Sequence, residues 1–174
     1  MTGIVIKPDI LENRVNKIYI GIGSNLGNRN RNIEKAKLLL IEKGVKILKS
    51  SAYYETLSWP DTKKPKFINI VLQSNTIIPP KRLIKLFKTI EKELGRKPDK
   101  KNSPRECDID IISYSNMVLN DEITIPHKRM HKRNFVLFPL YELDKNWVHP
   151  KFKIHIKKLI FSLPIKDIRS IKQI

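Results

Sequence analysis

The order in which alternating and helical hydrophobic patterns follow one another limits this chain more than any other feature. Residues 18–22 (Ile-Tyr-Ile-Gly-Ile) form a short alternating run, and residues 32–43 then place Ile33, Ala36, Leu40 and Ile41 on one helical face. Residues 45–56 alternate again, 67–73 (Phe-Ile-Asn-Ile-Val-Leu-Gln) make a further strand, and 81–94 carry Leu83, Leu86, Phe87, Ile90 and Leu94 on a helical stripe. A last strand follows Pro104. Strand, helix, strand, strand, helix, strand is the split βαβ order. The expected fold is therefore α+β, a ferredoxin-like βαββαβ antiparallel sheet with both helices on one face and the other face free. At 174 residues there is room for one such domain, 17–174, behind an N-terminal extension, 1–16. Beyond Tyr114 the pattern breaks into short irregular pieces, and the last thirty residues show a Trp147-Val148-His149-Pro150 turn and a basic amphipathic tail without visible chemistry.

The last strand is the one that carries chemistry. In Pro104-Arg105-Glu106-Cys107-Asp108-Ile109-Asp110-Ile111, residues two apart share a face, so Asp108 and Asp110 project side by side while Cys107, Ile109 and Ile111 point into a core. Adjacent carboxylates repel unless a cation lies between them, and an oxygen-only pair suits Mg²⁺ bridged to phosphates better than zinc. Taken alone, the Asp-x-Asp is read more readily as a solvated strand face. Arg105 adds a planar fork matched to phosphate oxygens.

Charge and cysteine content narrow the rest. With 35 Lys plus Arg against 17 Asp plus Glu, the net charge of +18 favours anionic partners, although an excess made mostly of lysine is also what a biased base composition produces. The single cysteine, Cys107, excludes an intrachain disulfide, and no run approaches the ~18 apolar residues of a membrane span. A cytoplasmic protein without membrane partners is the expectation.

Other polar features are ambiguous by themselves. The glycines of Gly21-Ile22-Gly23-Ser24-Asn25-Leu26-Gly27 miss the dinucleotide-binding spacing, and no Gly-Lys-Ser/Thr follows, so a plain tight turn is the favoured reading. Residues 57–66 form a long, basic, proline-containing loop between strands, a length usually tied to function. Asn69 in an apolar strand is either a structural anchor or a ligand-reading amide, and His127 after Pro126 reads as a surface histidine.

Taken together, Gly23-Ser24-Asn25-Leu26-Gly27-Asn28-Arg29, Tyr54-Glu55-Thr56, Phe67-Ile68-Asn69, Leu94-Gly95-Arg96, Pro104-Arg105 with Asp108-Ile109-Asp110, Ile125-Pro126-His127, and Arg133 with Phe135-Val136-Leu137 resemble the 6-hydroxymethyl-7,8-dihydropterin pyrophosphokinases of folate biosynthesis, in the family's order over about residues 18–150. The resemblance implies diphosphate transfer from ATP to the pterin hydroxymethyl group. Asp108 and Asp110 would hold two Mg²⁺ ions. Arg96 and Arg105 would close over the phosphates as the catalytic arginines. Thr56, Phe67, Asn69 and Phe135 would bind the pterin, and Glu91, Thr124, His127 and Arg133 the nucleotide. The implied partners are the small-molecule substrates and, among proteins, a folate-pathway enzyme. Pro98 and Asn102 depart from the family pattern, with Lys97, Lys100 and Lys101 offering charge in compensation, and Trp59 does not align. The rival reading is an RNA-binding module on the same fold, which would need exposed aromatics on the central strands; only Phe67, with Tyr53 or Tyr19, qualifies, and nucleic acid is not expected.

Overall fold

A computed structural model of the chain describes residues 14–58, 61–97 and 103–174. Residues 1–13 of the expected extension, Trp59, and Pro98, Lys100, Lys101 and Asn102 of the basic loop lie outside the described residues.

The elements run β1 (Asn16–Ser24), α1 (Arg29–Glu42), β2 (Lys46–Ser50), β3 (Tyr54–Thr56), β4 (Phe67–Thr76), α2 (Pro80–Glu93), β5 (Asp108–Tyr114), a small hairpin of β6 (Leu119–Asn120) and β7 (Thr124–Ile125), then α3 (Asn134–Leu143), α4 (Ile156–Phe161), α5 (Ile165–Ser170) and β8 (Lys172–Gln173). The main sheet has the order β5-β1-β4-β3-β8, with β2 also on β4, and every pairing is antiparallel. Local signals set the helix ends. The Asn28 side chain accepts the Arg31 N–H at 3.0 Å to start α1, Pro80 opens α2, and Gly44 and Gly95 take positive φ just beyond the two helices, where a Cβ would be strained.

Residues 45–56, expected as one strand, are two. Both pair with β4, and the break between them is bridged at Ser51, whose N–H donates to the Val71 carbonyl (2.9 Å) while its Oγ accepts the Val71 N–H (3.0 Å). Glu142 of α3 holds the break from the other side by accepting the Ala52 N–H and the Tyr54 hydroxyl.

The expectation of helices on one face also needs correction. One core joins α1 and α2 to the sheet through Ile18, Ile20, Leu40, Phe87 and Ile109. A second core lies on the opposite face, where Tyr19, Val71 and Ile112 pack against Val136, Leu137 and Leu140 of α3 and Ile156 and Leu159 of α4. The stretch 134–140, expected as an irregular piece, is thus helical, with Pro139 inside the helix. An interior proline costs about 3 kcal/mol. Burial of the three α3 side chains at about 1.5–3 kcal/mol each exceeds that cost.

Ser51→Ala would leave the buried Val71 N–H without its acceptor. Urea denaturation is expected to show a loss of about 1–3 kcal/mol, with the unfolding slope unchanged.

Candidate active site

The second face of the sheet is only partly covered, and beside the start of α3 and the end of α4 it forms the floor of an open cleft. In register, Asp108 of β5 lies opposite Gly23 of β1, which lies opposite Asn69 of β4; Asp110 lies opposite Gly21. The two glycines therefore separate the acidic strand from the amide strand with no side chain between them. A Cβ on Gly23 would stand 2.8 Å from Asn69 Oδ1, and one on Gly21 would stand 3.1 Å from Ile112. The strand expected over 18–22 extends to Ser24, so Gly23, expected in the turn, is in β1 with Gly21, and both line the cleft. Their signal was the parity of Tyr19, Gly21 and Gly23, which puts bare backbone on the face that carries the aspartates. The alternation expected for β5 is present, with Ile109 and Ile111 in the first core, Asp108 and Asp110 facing the cleft, and Cys107 fully buried, its thiol pushed up by burial.

Arginines surround Asp108. Its Oδ1 accepts from Arg96 Nη1 at 2.7 Å and Arg105 Nη1 at 3.2 Å. Arg96 Nη1 also lies 2.6 Å from Glu91, which is buried, contacts Lys88 at 2.9 Å and accepts the Ile109 N–H at 2.8 Å. Glu91 therefore anchors Arg96 and pins the start of β5; it does not line the cleft as a nucleotide contact. Arg105 is set by Asn25, which receives the Arg105 N–H on its Oδ1 (2.8 Å), donates its own N–H to the Arg105 carbonyl (3.1 Å) and reaches Pro65 O with its amide (3.1 Å). Sequence reasoning did not assign Asn25 this part. The Arg105 Nε is buried with no hydrogen-bond partner, which leaves a donor for an anion.

On the other side of the floor, Asp110 Oδ2 lies 3.6 Å from Arg133 Nη1 and 3.9 Å from His127 Nε2. The Arg129 N–H donates to His127 Nδ1 (3.2 Å), so the ring proton of neutral His127 is on Nε2 and joins Arg133 in facing Asp110. Burial, reinforced by Arg133, pushes His127 down to about 4, so at neutral pH it is an uncharged donor. The two carboxylates diverge. Burial opposes ionisation of Asp108, but Arg105 and Arg96 outweigh it and hold Asp108 below the usual range; Asp110 is raised by burial and then by the Asp108 charge.

Beyond Gly23, Asn69 Nδ2 donates to Thr56 Oγ1 (3.0 Å), which leaves the Asn69 carbonyl over the glycine. Phe67 and Phe135 both line the cleft, and the Arg105 and Arg133 guanidinium groups lie 5.9 and 5.3 Å from their respective ring centres. Thr124 is in the β6–β7 hairpin opposite Asn120 and, like Glu91, does not line the cleft. The remaining residues expected at the site, Thr56, Phe67, Asn69, Arg96, Arg105, Asp108, Asp110, His127, Arg133 and Phe135, are brought together around it. The cleft volume is about 1620 Å³. This exceeds the roughly 300–1,000 Å³ of a single-ligand pocket and leaves room for two substrates.

Two carboxylates ringed by arginines, next to a slot of amide, hydroxyl and aromatic groups, define a site for moving a phosphate-containing group between two bound molecules. The chain belongs to the 7,8-dihydro-6-hydroxymethylpterin-pyrophosphokinase (HPPK) family, which matches it over residues 19–145. It is 37% identical to a 2-amino-4-hydroxy-6-hydroxymethyldihydropteridine pyrophosphokinase of Aquifex aeolicus over 81% of this chain and 88% of that one. It is 38% identical to a mitochondrial folate synthesis bifunctional protein of Arabidopsis thaliana, covering 73% of this chain and 23% of that protein. Among solved structures, an HPPK-DHPS in complex with substrates shares the fold at a TM-score of 0.69 and 15% identity, over 91% of this chain and 46% of that one. A wild-type Plasmodium falciparum HPPK-DHPS with pteroate does so at 0.68 and 16% identity, over 85% of this chain and 42% of that one. This chain thus spans less than half of either structure's length.

Because its raised pKa makes ionised Asp110 unfavourable in the fold, Asp110→Asn is expected to melt a few degrees above the parent in EDTA at neutral pH. Below the ordinary carboxylate range Asp110 is protonated whether the chain is folded or unfolded, so the gain should vanish there; calorimetry across pH reads this.

Proposed function

We propose that this protein is a 2-amino-4-hydroxy-6-hydroxymethyldihydropteridine diphosphokinase, which moves an intact diphosphate from ATP to 6-hydroxymethyl-7,8-dihydropterin in folate synthesis. The observation that carries the reading is the Asp108–Asp110 pair on the cleft floor, faced by Arg96, Arg105 and Arg133. Family membership and the Aquifex relative, which this chain nearly spans, support it.

In the proposed reaction the pterin hydroxymethyl oxygen bonds to the β-phosphorus of ATP as the bond from that phosphorus to the α-phosphate oxygen breaks. AMP leaves and the hydroxyl proton is released. The donor set fits Mg²⁺: two hard oxygen ligands on one face, whose mutual repulsion a cation relieves, with the remaining positions left to phosphate and water. Asp108 and Asp110 would hold two such ions, which neutralise triphosphate charge. Arg96 and Arg105, already aimed at Asp108, reach phosphate oxygens from the same side, and the unpartnered Arg105 Nε supplies one more donor. Arg133 and the Nε2–H of His127 approach from the Asp110 side.

Asn69 and Thr56 read the polar edge of the pterin, and Phe67 and Phe135 offer faces for its ring. The Asn69 carbonyl is available as an acceptor because Gly23 leaves space beneath it.

The strand order β5-β1-β4 followed by β2 and β3, with α1 and α2 on one face, supports naming the fold ferredoxin-like. The RNA-binding alternative loses ground because α3 and α4 cover much of the face on which bases would stack. Among the described residues no helix is long and apolar enough to cross a membrane. A cytoplasmic site of action and association with another folate-pathway enzyme are part of the proposal, the latter supported by the bifunctional relatives.

Purified protein given MgATP and the hydroxymethyl dihydropterin is expected to form AMP, read by ion-exchange chromatography; ADP as product would sink the mechanism. Asp108→Ala and Arg105→Ala should each lower kcat by at least about a hundredfold, and Arg105→Lys should recover only part of it. Gly23→Ala should weaken pterin binding by about tenfold or more, because its methyl displaces the Asn69 carbonyl.

A further inference from the structure

The C-terminal segment, which shows no chemistry in sequence and lies beyond the family match at 19–145, touches both walls of the cleft. On one side β8 extends the sheet along β3, pairing Lys172 with Glu55 and Gln173 with Tyr54, and the Ile174 N–H donates to Tyr53 O at 2.9 Å. The next residue of β3 is Thr56, which supports Asn69. On the other side, Asn134 Nδ2 donates to Asp167 O of α5 at 2.6 Å and contacts Ser170 Oγ at 3.3 Å, while its Oδ1 accepts the Phe135 N–H at 2.7 Å. Asn134 stands between Arg133 and Phe135 at the start of α3, so one amide ties α5 to the backbone that presents both of those side chains. Asp167 and Ser170 themselves line the cleft, and Ile168 packs against the second core.

We infer that residues 164–174 form a strap that fixes the spacing between the Thr56 and Phe135 walls, with Asn134 as the positioning residue on one side and the β8–β3 ladder as the anchor on the other. The inference rests on reading those walls as the pterin slot. A planar ring held between them is sensitive to their separation, whereas the triphosphate is held mainly from β5 and its preceding loop, through Asp108, Asp110, Arg96 and Arg105, with Arg133 its one contact on the strapped wall. The strap therefore bears on pterin affinity far more than on nucleotide affinity.

Asn134→Asp separates the two functions of the amide. It keeps an oxygen for the Phe135 N–H but turns the donor facing Asp167 O into a second oxygen. Ile174→Pro removes the donor to Tyr53 from the opposite anchor. The full chain and each variant are titrated with 6-hydroxymethylpterin in the presence of MgATP analogue, and separately with the analogue alone. Each variant is expected to bind the pterin about tenfold more weakly, the equivalent of one lost hydrogen bond, and the nucleotide within about twofold. The double variant should be no weaker than the weaker single one, because either cut frees the strap. At saturating pterin, kcat should recover toward the parent value, and Asn134→Ala should match Asn134→Asp in pterin affinity. Unchanged pterin affinity in both single variants, or equal loss of both ligands in step with a fall in melting temperature, would overturn the strap. A parent protein that binds nucleotide but no pterin would overturn the reading of the slot, and the strap with it.

Discussion

The cleft depends on an electrostatic conflict that strand geometry creates. A period of two forces Asp108 and Asp110 onto one face of β5, and Gly21 and Gly23 on the neighbouring strand leave nothing beside them to separate or shield the charges. The conflict is resolved unequally. Arg96 and Arg105 stabilise the charge on Asp108, and Asp110 is left raised by burial and by its neighbour. Much of the surrounding structure sets those cations in place: buried Glu91 holds Arg96, Asn25 holds the backbone of Arg105, and the short turn through Arg129 fixes the proton of His127. Two carboxylates set to repel each other suit a ligand that brings positive charge with it, which is the case for a metal–triphosphate complex.

The same face of the sheet serves two purposes along its length. Where Val71 and Ile112 project, α3 and α4 close over it as a second core; where the glycines lie, it stays open. The start of α3 stands at this boundary, so Arg133 and Phe135 reach into the cleft at the first turn of a helix whose Val136, Leu137 and Leu140 are packed. The anchoring of α3 by Glu142 and Asn134, to the β2–β3 break and to α5, therefore belongs to the construction of the site.

Much of this was legible in the sequence because it rests on local periodicity. The strands β1, β4 and β5, the first two helices, the facing of Asp108 and Asp110, and the inward turn of Cys107 follow from spacing alone. Thr56, Phe67, His127 and Phe135 were legible as cleft residues only by family resemblance, since nothing local distinguishes His127 from a surface histidine. What stayed hidden depends on contacts between distant segments. Ser51 splits a strand by bonding across to Val71, and α3 forms across Pro139 because the sheet buries its apolar side. Glu91 turns inward to hold Arg96, and Thr124 is taken up by a hairpin. Gly23 was visible but misread as part of a turn, because a bare backbone acquires meaning only from what lies across it in the sheet.

We propose the aspartate pair as a platform for metal and triphosphate, with Arg96 and Arg105 turning from Asp108 to the phosphates. Anomalous diffraction from crystals grown with Mn²⁺ and a non-hydrolysable ATP analogue tests it most directly. The account requires metal density shared between Asp108 and Asp110, with Arg96 moved from Asp108 Oδ1 onto phosphate oxygens. Nucleotide bound with no metal at the pair, and Arg96 still on Asp108, would contradict it.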